Sequence, residues 1–257
     1  QAGRQLNVFI DGVRLNHNYV PSYLGIPLDR SLTFREHMEK LSQKVRTRNN
    51  LIQKLSGTNW GANANVLRTA VLSLVYSCAE YCAPAWYRSC HVDKLDVQLN
   101  SALRLITGSV DSTPIPWLHV LSNIAPPELR RKMAAPREWI KCFDDNRGYE
   151  LPIKNDIAEP PPRRLPSRSP IWSDADILDE SFDIATAWKR YWNECPYFTN
   201  KHLIDDSDHK LEGFDLQRRE WKILNRFRSG HGCCKEQLYR WNFSLSPLCD
   251  CDNDVNE

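Results

Sequence analysis

Thr33-Phe34-Arg35-Glu36-His37-Met38-Glu39-Lys40-Leu41-Ser42-Gln43-Lys44-Val45-Arg46-Thr47-Arg48-Asn49-Asn50-Leu51-Ile52-Gln53-Lys54-Leu55-Ser56-Gly57 decides the class of this fold. Phe34, Met38, Leu41, Val45, Ile52 and Leu55 recur at three- and four-residue steps, which puts them on one face of an α-helix. Thr33 and Glu36 have the spacing of a capping box, and Gly57 supplies a stop. Lys40, Lys44 and Arg48 follow one another at four-residue steps, with Arg46 and Lys54 nearby. They form a basic stripe expected opposite the apolar face, which is either a solvated surface or a phosphate contact.

The same periodicity continues downstream. Val66, Leu67, Ala70, Val71, Leu74, Val75 and Cys78 mark a helix over about 63–82, ended by Pro84. Its wide apolar face suits the central helix of a bundle. Val92, Leu95, Leu99, Leu103 and Ile106 mark another over about 91–107, with Gly108 as its C′ residue. Shorter patterns predict helices near 115–122 and over about 126–143, the latter opened by Pro126-Pro127.

Upstream, the first thirty residues read as β structure. Leu6, Val8 and Ile10 alternate with their neighbours, Asp11-Gly12 stands where a two-residue hairpin turn belongs, and Val13 and Leu15 continue on the return strand. Tyr23-Leu24-Gly25-Ile26, bracketed by Pro21 and Pro27, reads as a short extended edge strand. The fold class is therefore mainly α, with short strands preceding a helical bundle.

Residues 144–172 contain Pro152, Pro160-Pro161-Pro162, Pro166 and Pro170, which sustain neither helix nor sheet, and read as a linker. Beyond it, residues 173–257 hold a helix carrying Phe182, Ile184, Trp188, Tyr191 and Trp192, another over about 214–228, and a Cys- and Gly-containing loop over the last thirty residues. In the second of these helices Arg218, Arg219, Lys222, Arg226 and Arg228 interleave with Trp221, Leu224 and Phe227. That set suits base stacking with phosphate pairing, or an amphipathic helix with Trp221 and Phe227 in a small core.

The net charge of +2 conceals an asymmetry: residues 1–140 carry 17 Lys/Arg against 10 Asp/Glu, and residues 141–257 carry 17 against 22. A basic first half suits a phosphate-backbone partner. No run approaches the roughly 20 apolar residues of a membrane span. No apolar segment behind Gln1 could act as a secretory signal, so the nine cysteines read as free thiols in a reducing compartment. The missing initiator Met and the abrupt end at Glu257 make a fragment the simpler account.

From Tyr23-Leu24-Gly25-Ile26-Pro27-Leu28-Asp29 and Leu32-Thr33-Phe34-Arg35-Glu36-His37 onward the sequence resembles LINE-type (non-LTR, jockey-like) retrotransposon reverse transcriptases, at the passage from palm to thumb. The likeness runs through Arg48-Asn49-Asn50-Leu51, Leu55-Ser56-Gly57-Thr58-Asn59-Trp60-Gly61, Glu80-Tyr81-Cys82-Ala83-Pro84-Ala85-Trp86 and Gln98-Leu99-Asn100-Ser101. It ends in Ile106-Thr107-Gly108, Thr113-Pro114 and Leu121-Ser122-Asn123-Ile124-Ala125-Pro126-Pro127, covering about residues 20–132.

The resemblance implies palm-edge strands in 1–32, with Tyr23, Leu24 and Gly25 as primer-grip candidates, although a plain edge strand with a core Tyr is the alternative. It implies a thumb-like domain in 33–143, whose Lys40, Lys44, Arg48 and Lys54 would meet the backbone of an RNA and DNA template–primer duplex. Arg218, Arg219 and Lys222 are nucleic-acid-binding candidates further on. Arg226, Arg228-Ser229-Gly230-His231-Gly232, Leu238, Ser246-Pro247-Leu248 and Cys249-Asp250-Cys251 resemble the Cys/His segment near the carboxy terminus of these proteins. Cys249 and Cys251 would be half of a zinc site, with the second pair expected only in a longer protein; Cys233, Cys234 or His231 could substitute, but adjacent Cys233-Cys234 is an awkward chelate, and two free thiols are the expected state in this chain.

In the family the carboxylates that hold Mg²⁺ precede the thumb. Asp144-Asp145 and Asp205-Asp206 lie downstream and lack the family's context, so the chain alone is expected to be inactive and to hold no cofactor. The implied function is template–primer and RNA binding within a retroelement RNA-directed DNA polymerase, alongside the rest of its polyprotein, in cytoplasm and nucleus. The alternative is a non-enzymatic helical nucleic-acid- or protein-binding protein derived from a decayed element.

Overall fold

The structure is a computed structural model that describes residues 7–57, 60–143 and 182–248. The expected linker, Asp144-Asp145 and the Cys249/Cys251 pair lie outside the described residues.

Two antiparallel hairpins open the fold. β1 (Phe9–Ile10) pairs with β2 (Val13–Arg14) through Ile10↔Val13, and Asp11 and Gly12 both take positive φ (49° and 76°), as a type I′ turn demands. β3 (Ser22–Tyr23) pairs with β4 (Ile26–Pro27) through Tyr23↔Ile26, with Leu24 at φ 48° and Gly25 at φ 80°. The expected extended strand 23–26 is therefore a second tight hairpin. Four residues are too few for alternation to distinguish a strand from a turn. Gly25 tolerates the left-handed region, and burial of Ile26 and Pro27 anchors the return strand.

Asp29, rather than a Thr33/Glu36 capping box, organises entry into α1 (Arg35–Leu55). Its carboxylate accepts from Thr33 N (2.8 Å), Thr33 Oγ1 (3.0 Å), Ser31 N (3.1 Å) and Arg35 N (3.3 Å). Glu36 instead lies 4.0 Å from Lys40. Burial works against the charge on Asp29, but the backbone and hydroxyl donors outweigh it and hold the carboxyl below its usual range. Phe34 precedes the helix at φ 57° with no side-chain cap.

α1 buries His37, Met38, Leu41, Val45, Asn49 and Ile52, whereas Leu55 is exposed. α2 (Ala64–Ala70) continues through a π-helical segment (Val71–Tyr76) into α3 (Ser77–Ala79). The chain turns at Cys82 (φ 51°) before α4 (Ala83–Trp86), so Pro84 opens the next helix instead of ending the previous one. α5 (Asp93–Thr107) packs against α1, α2, the π segment and α6 (Ile115–Ser122). It occupies the central position expected of 63–82, whose Val66 and Leu74 remain exposed. Two side chains register α1 on α5: Ser42 Oγ donates to Lys94 O at 3.0 Å and Asn49 Nδ2 to Gln98 O at 2.8 Å.

α7 (Pro127–Phe143) is tied to α5 by Arg131 and Asp96. The segment after residue 181 contributes α8 (Ile184–Glu194), α9 (Arg218–Ser229) and α10 (Lys235–Arg240). α10 falls where only loop was expected, and α9 begins four residues later than the apolar pattern suggested. α8 and α9 share cores with the first half, whereas α10 buries no residue. Trp188, Trp192 and Ile204 cluster with Trp117, Val120 and Leu121, while Phe214 and Trp221 close over Ala64. The mainly α class holds.

Candidate nucleic-acid interface

A cleft of about 410 Å³ opens between the second hairpin, α1 and α3. The hairpin supplies Gly25 and Pro27, α1 supplies Lys40, Lys44 and Arg48, and α3 with the turn after it supplies Ser77, Cys78 and Tyr81. Tyr81 Oη donates to Leu24 O at 3.1 Å, tying the turn to the helices. The family-like hairpin and the basic stripe were separate readings of the sequence; the fold brings Gly25 and the three cations onto one surface.

The stripe borders the buried face rather than opposing it. A four-residue step turns 40° beyond a full revolution, so each successive cation swings toward the His37–Leu41 side. Arg48 ends beside the π segment, donating through Nη1 to Leu74 O. Successive cations stand about 6 Å apart along the axis. Among the described residues Lys44 has no ion-pair partner, Lys40 has only the distant Glu36, and no carboxylate lines the cleft. Low-dielectric walls bearing one sign of charge concentrate anions.

His37 lines the cleft at 6% exposure, with Nε2 buried and without a partner. Burial pushes its pKa down, so it is neutral at pH 7 and adds no charge. The hydrogen bond and charge of Cys82 push the Tyr81 phenol upward, keeping it a donor. Ser77 escaped the sequence reading because nothing in its local spacing marks it, and His37 and Tyr81 lay within family-like segments without being singled out as site residues.

Tyr23 and Leu24 are exposed at the hairpin tip, and Lys54 sits in the last turn of α1 away from the cleft, where it complements the helix dipole. The basic–aromatic set of α9 divides. Arg218 is 5% exposed and donates to Ile106 O (2.6 Å) and Leu105 O (2.5 Å). Trp221 Nε1 joins it on Ile106 O (3.0 Å), Asn225 Nδ2 meets Thr107 O (3.0 Å) and Arg226 Nε meets Gly108 O (3.2 Å). Together they satisfy the last carbonyls of α5, which would otherwise be buried without donors. Arg218 and Trp221 are thus turned inward, while Arg219 and Phe227 face outward. The Lys222 stem packs over Gly108.

Asp206 is held by Lys189 at 3.0 Å, and no three metal-ligating side chains converge among the described residues. His231 Nδ1 contacts Ser112 Oγ (3.2 Å) and Cys233 Sγ accepts from Arg226 Nη1 (3.7 Å).

No family model matches the chain, and no solved structure matches it. Over 120 residues it is 32% identical to the RNA-directed DNA polymerase from mobile element jockey of Drosophila funebris, a match covering 43% of this chain and 12% of that protein. This similarity supports an origin related to retrotransposon reverse transcriptases.

Proposed function

We propose that this chain is a nucleic-acid-holding portion of a retroelement RNA-directed DNA polymerase, and that the cleft grips the backbone of an RNA–DNA template–primer duplex. The observation that carries the reading is the joining of Gly25, in the hairpin turn, with Lys40, Lys44 and Arg48 in one cleft whose lining includes no carboxylate. Cations at regular steps along a rigid helix suit a repeating phosphate backbone, while the hairpin turn adds a contact point at a defined distance from them. Polymerisation would belong to the longer protein, with magnesium held by carboxylates elsewhere in it. Zinc would require Cys249, Cys251 and further ligands. The remaining polyprotein would be a partner, in cytoplasm and nucleus.

The test is affinity of the full chain for an RNA–DNA hybrid, measured by anisotropy across a salt series. Lys40→Gln with Lys44→Gln should reduce the slope of log K against log salt by about 2, near 0.9 for each lost phosphate contact. An unchanged slope would remove the cleft from consideration.

A further inference from the structure

From Lys40 to Ala79 the chain carries six Lys/Arg and no Asp/Glu. These residues form most of α1, then α2, the π segment and α3, which pack against one another. They also leave four aliphatic side chains in water: Leu51 is 52% exposed, Leu55 45%, Val66 53% and Leu74 42%. None of the four lines the duplex cleft.

Helix geometry places them on one side of the molecule. Each residue of α1 turns by about 100°, so Leu55 lies about 20° and Leu51 about 60° to one side of Arg48. Lys54 lies about 60° beyond Leu51, and the two leucines therefore run between two cations. On the neighbouring helix Val66, Ala70 and Leu74 recur at four-residue steps. Leu74 stands one turn before Ser77 and Cys78 of the cleft. Arg48 Nη1 donates to Leu74 O, and Ala62 N donates to Leu55 O at 3.0 Å, holding α1 beside the second helix at both ends of this region. Two apolar ridges, each with steps of about 6 Å, thus border a groove that prolongs the cleft. At its far edge Asn65 meets both Lys210 and Asp215, whose charges offset one another.

Ridges of this spacing seat a third helix, as in a bundle. The flanking cations, in a stretch without a carboxylate, favour a helix that carries acidic residues beside its apolar face. A phosphate backbone would meet the cations but leave the aliphatic side chains in water, and none of the four is a ring on which a base could stack. A second copy docked through the same face would set cations against cations.

We propose that the groove between α1 and the α2–π helix binds an acidic amphipathic helix of a partner protein. Its apolar face would lie on Leu51, Leu55, Val66 and Leu74, with its carboxylates beside Arg48 and Lys54. The proposal does not rest on the duplex reading.

The probe is a fluorescein-labelled synthetic peptide of about eighteen residues, with leucines at three- and four-residue steps flanked by glutamates. It is titrated with the full chain and read by anisotropy. Leu51→Gln with Leu55→Gln should weaken binding about tenfold or more. Both side chains are half exposed, so thermal melts of this variant should match wild type. Lys54→Gln should flatten the salt dependence with a smaller loss. A peptide with lysines in place of the glutamates should not bind, and the leucine variant should keep its affinity for the RNA–DNA hybrid. Equal binding of the acidic peptide by the leucine variant and wild type overturns the proposal, as does equal binding of the lysine peptide. Loss of hybrid binding in the leucine variant also overturns it, returning these residues to the duplex cleft. So does loss of self-association in sedimentation, which would assign them to a second copy. Failure of wild type to bind the acidic peptide overturns it too, and leucine-dependent capture by phosphatidylserine-containing vesicles would then name a lipid surface instead.

Discussion

The Arg218 guanidinium donates to the carbonyl of Ile106 at 2.6 Å, joining residues 112 apart in the chain. With the second bond to Leu105 O, one side chain serves two carbonyls in the last turn of α5. Burial, with the nearby Arg226 charge, depresses its pKa to about 10, so it stays charged at neutral pH. Arg218→Ala should destabilise the chain by about 3 kcal/mol, because buried acceptors lose charged donors. Arg218→Lys should recover only part, since an ammonium cannot reproduce the planar fork. Urea unfolding monitored by tryptophan fluorescence measures both.

Arg131 and Asp96 form a bidentate pair at 2.5 and 2.8 Å, with the arginine side chain 5% exposed and the aspartate 27% exposed. Asp96→Asn should cost about 3 kcal/mol, because the arginine remains buried without its counter-charge. Asp96→Leu combined with Arg131→Met should cost less than Asp96→Asn. A combined loss equal to or larger than the single one, read from denaturant midpoints, would show that packing rather than charge dominates there.

His119 is buried, and desolvation depresses its pKa to about 4 despite a backbone hydrogen bond acting in the opposite direction. Its unfolded pKa is near 6.5. Between these values the unfolded chain binds the proton and the folded chain does not, so stability is present above about pH 6.5 and falls as pH drops toward 4. The loss should approach about 3 kcal/mol. His119→Gln should flatten this acid limb in melts recorded from pH 7 to pH 4.5.

Gly108 and Gly25 both take positive φ, but their surroundings differ. A Cβ on Gly108 would lie 2.1 Å from Lys222 Cγ, whereas one on Gly25 would meet nothing within 4 Å. Gly25→Ala should cost only the backbone term of about 1 kcal/mol. Gly108→Ala should cost more, because it also displaces α9 from the end of α5. Thermal melts of the two variants distinguish local strain from lost docking.

Much of this architecture was legible because local patterns suffice where structure is local. The 3.6-residue periodicity located α1 and α5, Ile115–Ser122 matched its pattern, and Asp11-Gly12 marked a hairpin whose turn requires positive φ. The entry to α1 was misread because Thr33 has two possible partners. The capping box pairs it with Glu36, but a carboxylate four residues upstream competes for the same hydroxyl and succeeds. The Tyr23–Ile26 segment was misread because Leu24 adopts a conformation that leucine rarely takes, held by Ile26 packing and by Tyr81, 57 residues away.

The sequence by itself determined where α1, α5 and α6 run, where chain direction reverses at Asp11-Gly12, and that cations recur at helical spacing along α1, because those properties depend on neighbours within a few residues. Only the tertiary structure decided what each cation does. Lys40 and Lys44 border an acid-free cleft, Arg218 satisfies carbonyls of a distant helix, and Arg131 is neutralised by Asp96. A charged group's role depends on which surface covers it and which carbonyl or carboxylate comes within 3 Å, and chain folding alone brings those partners together.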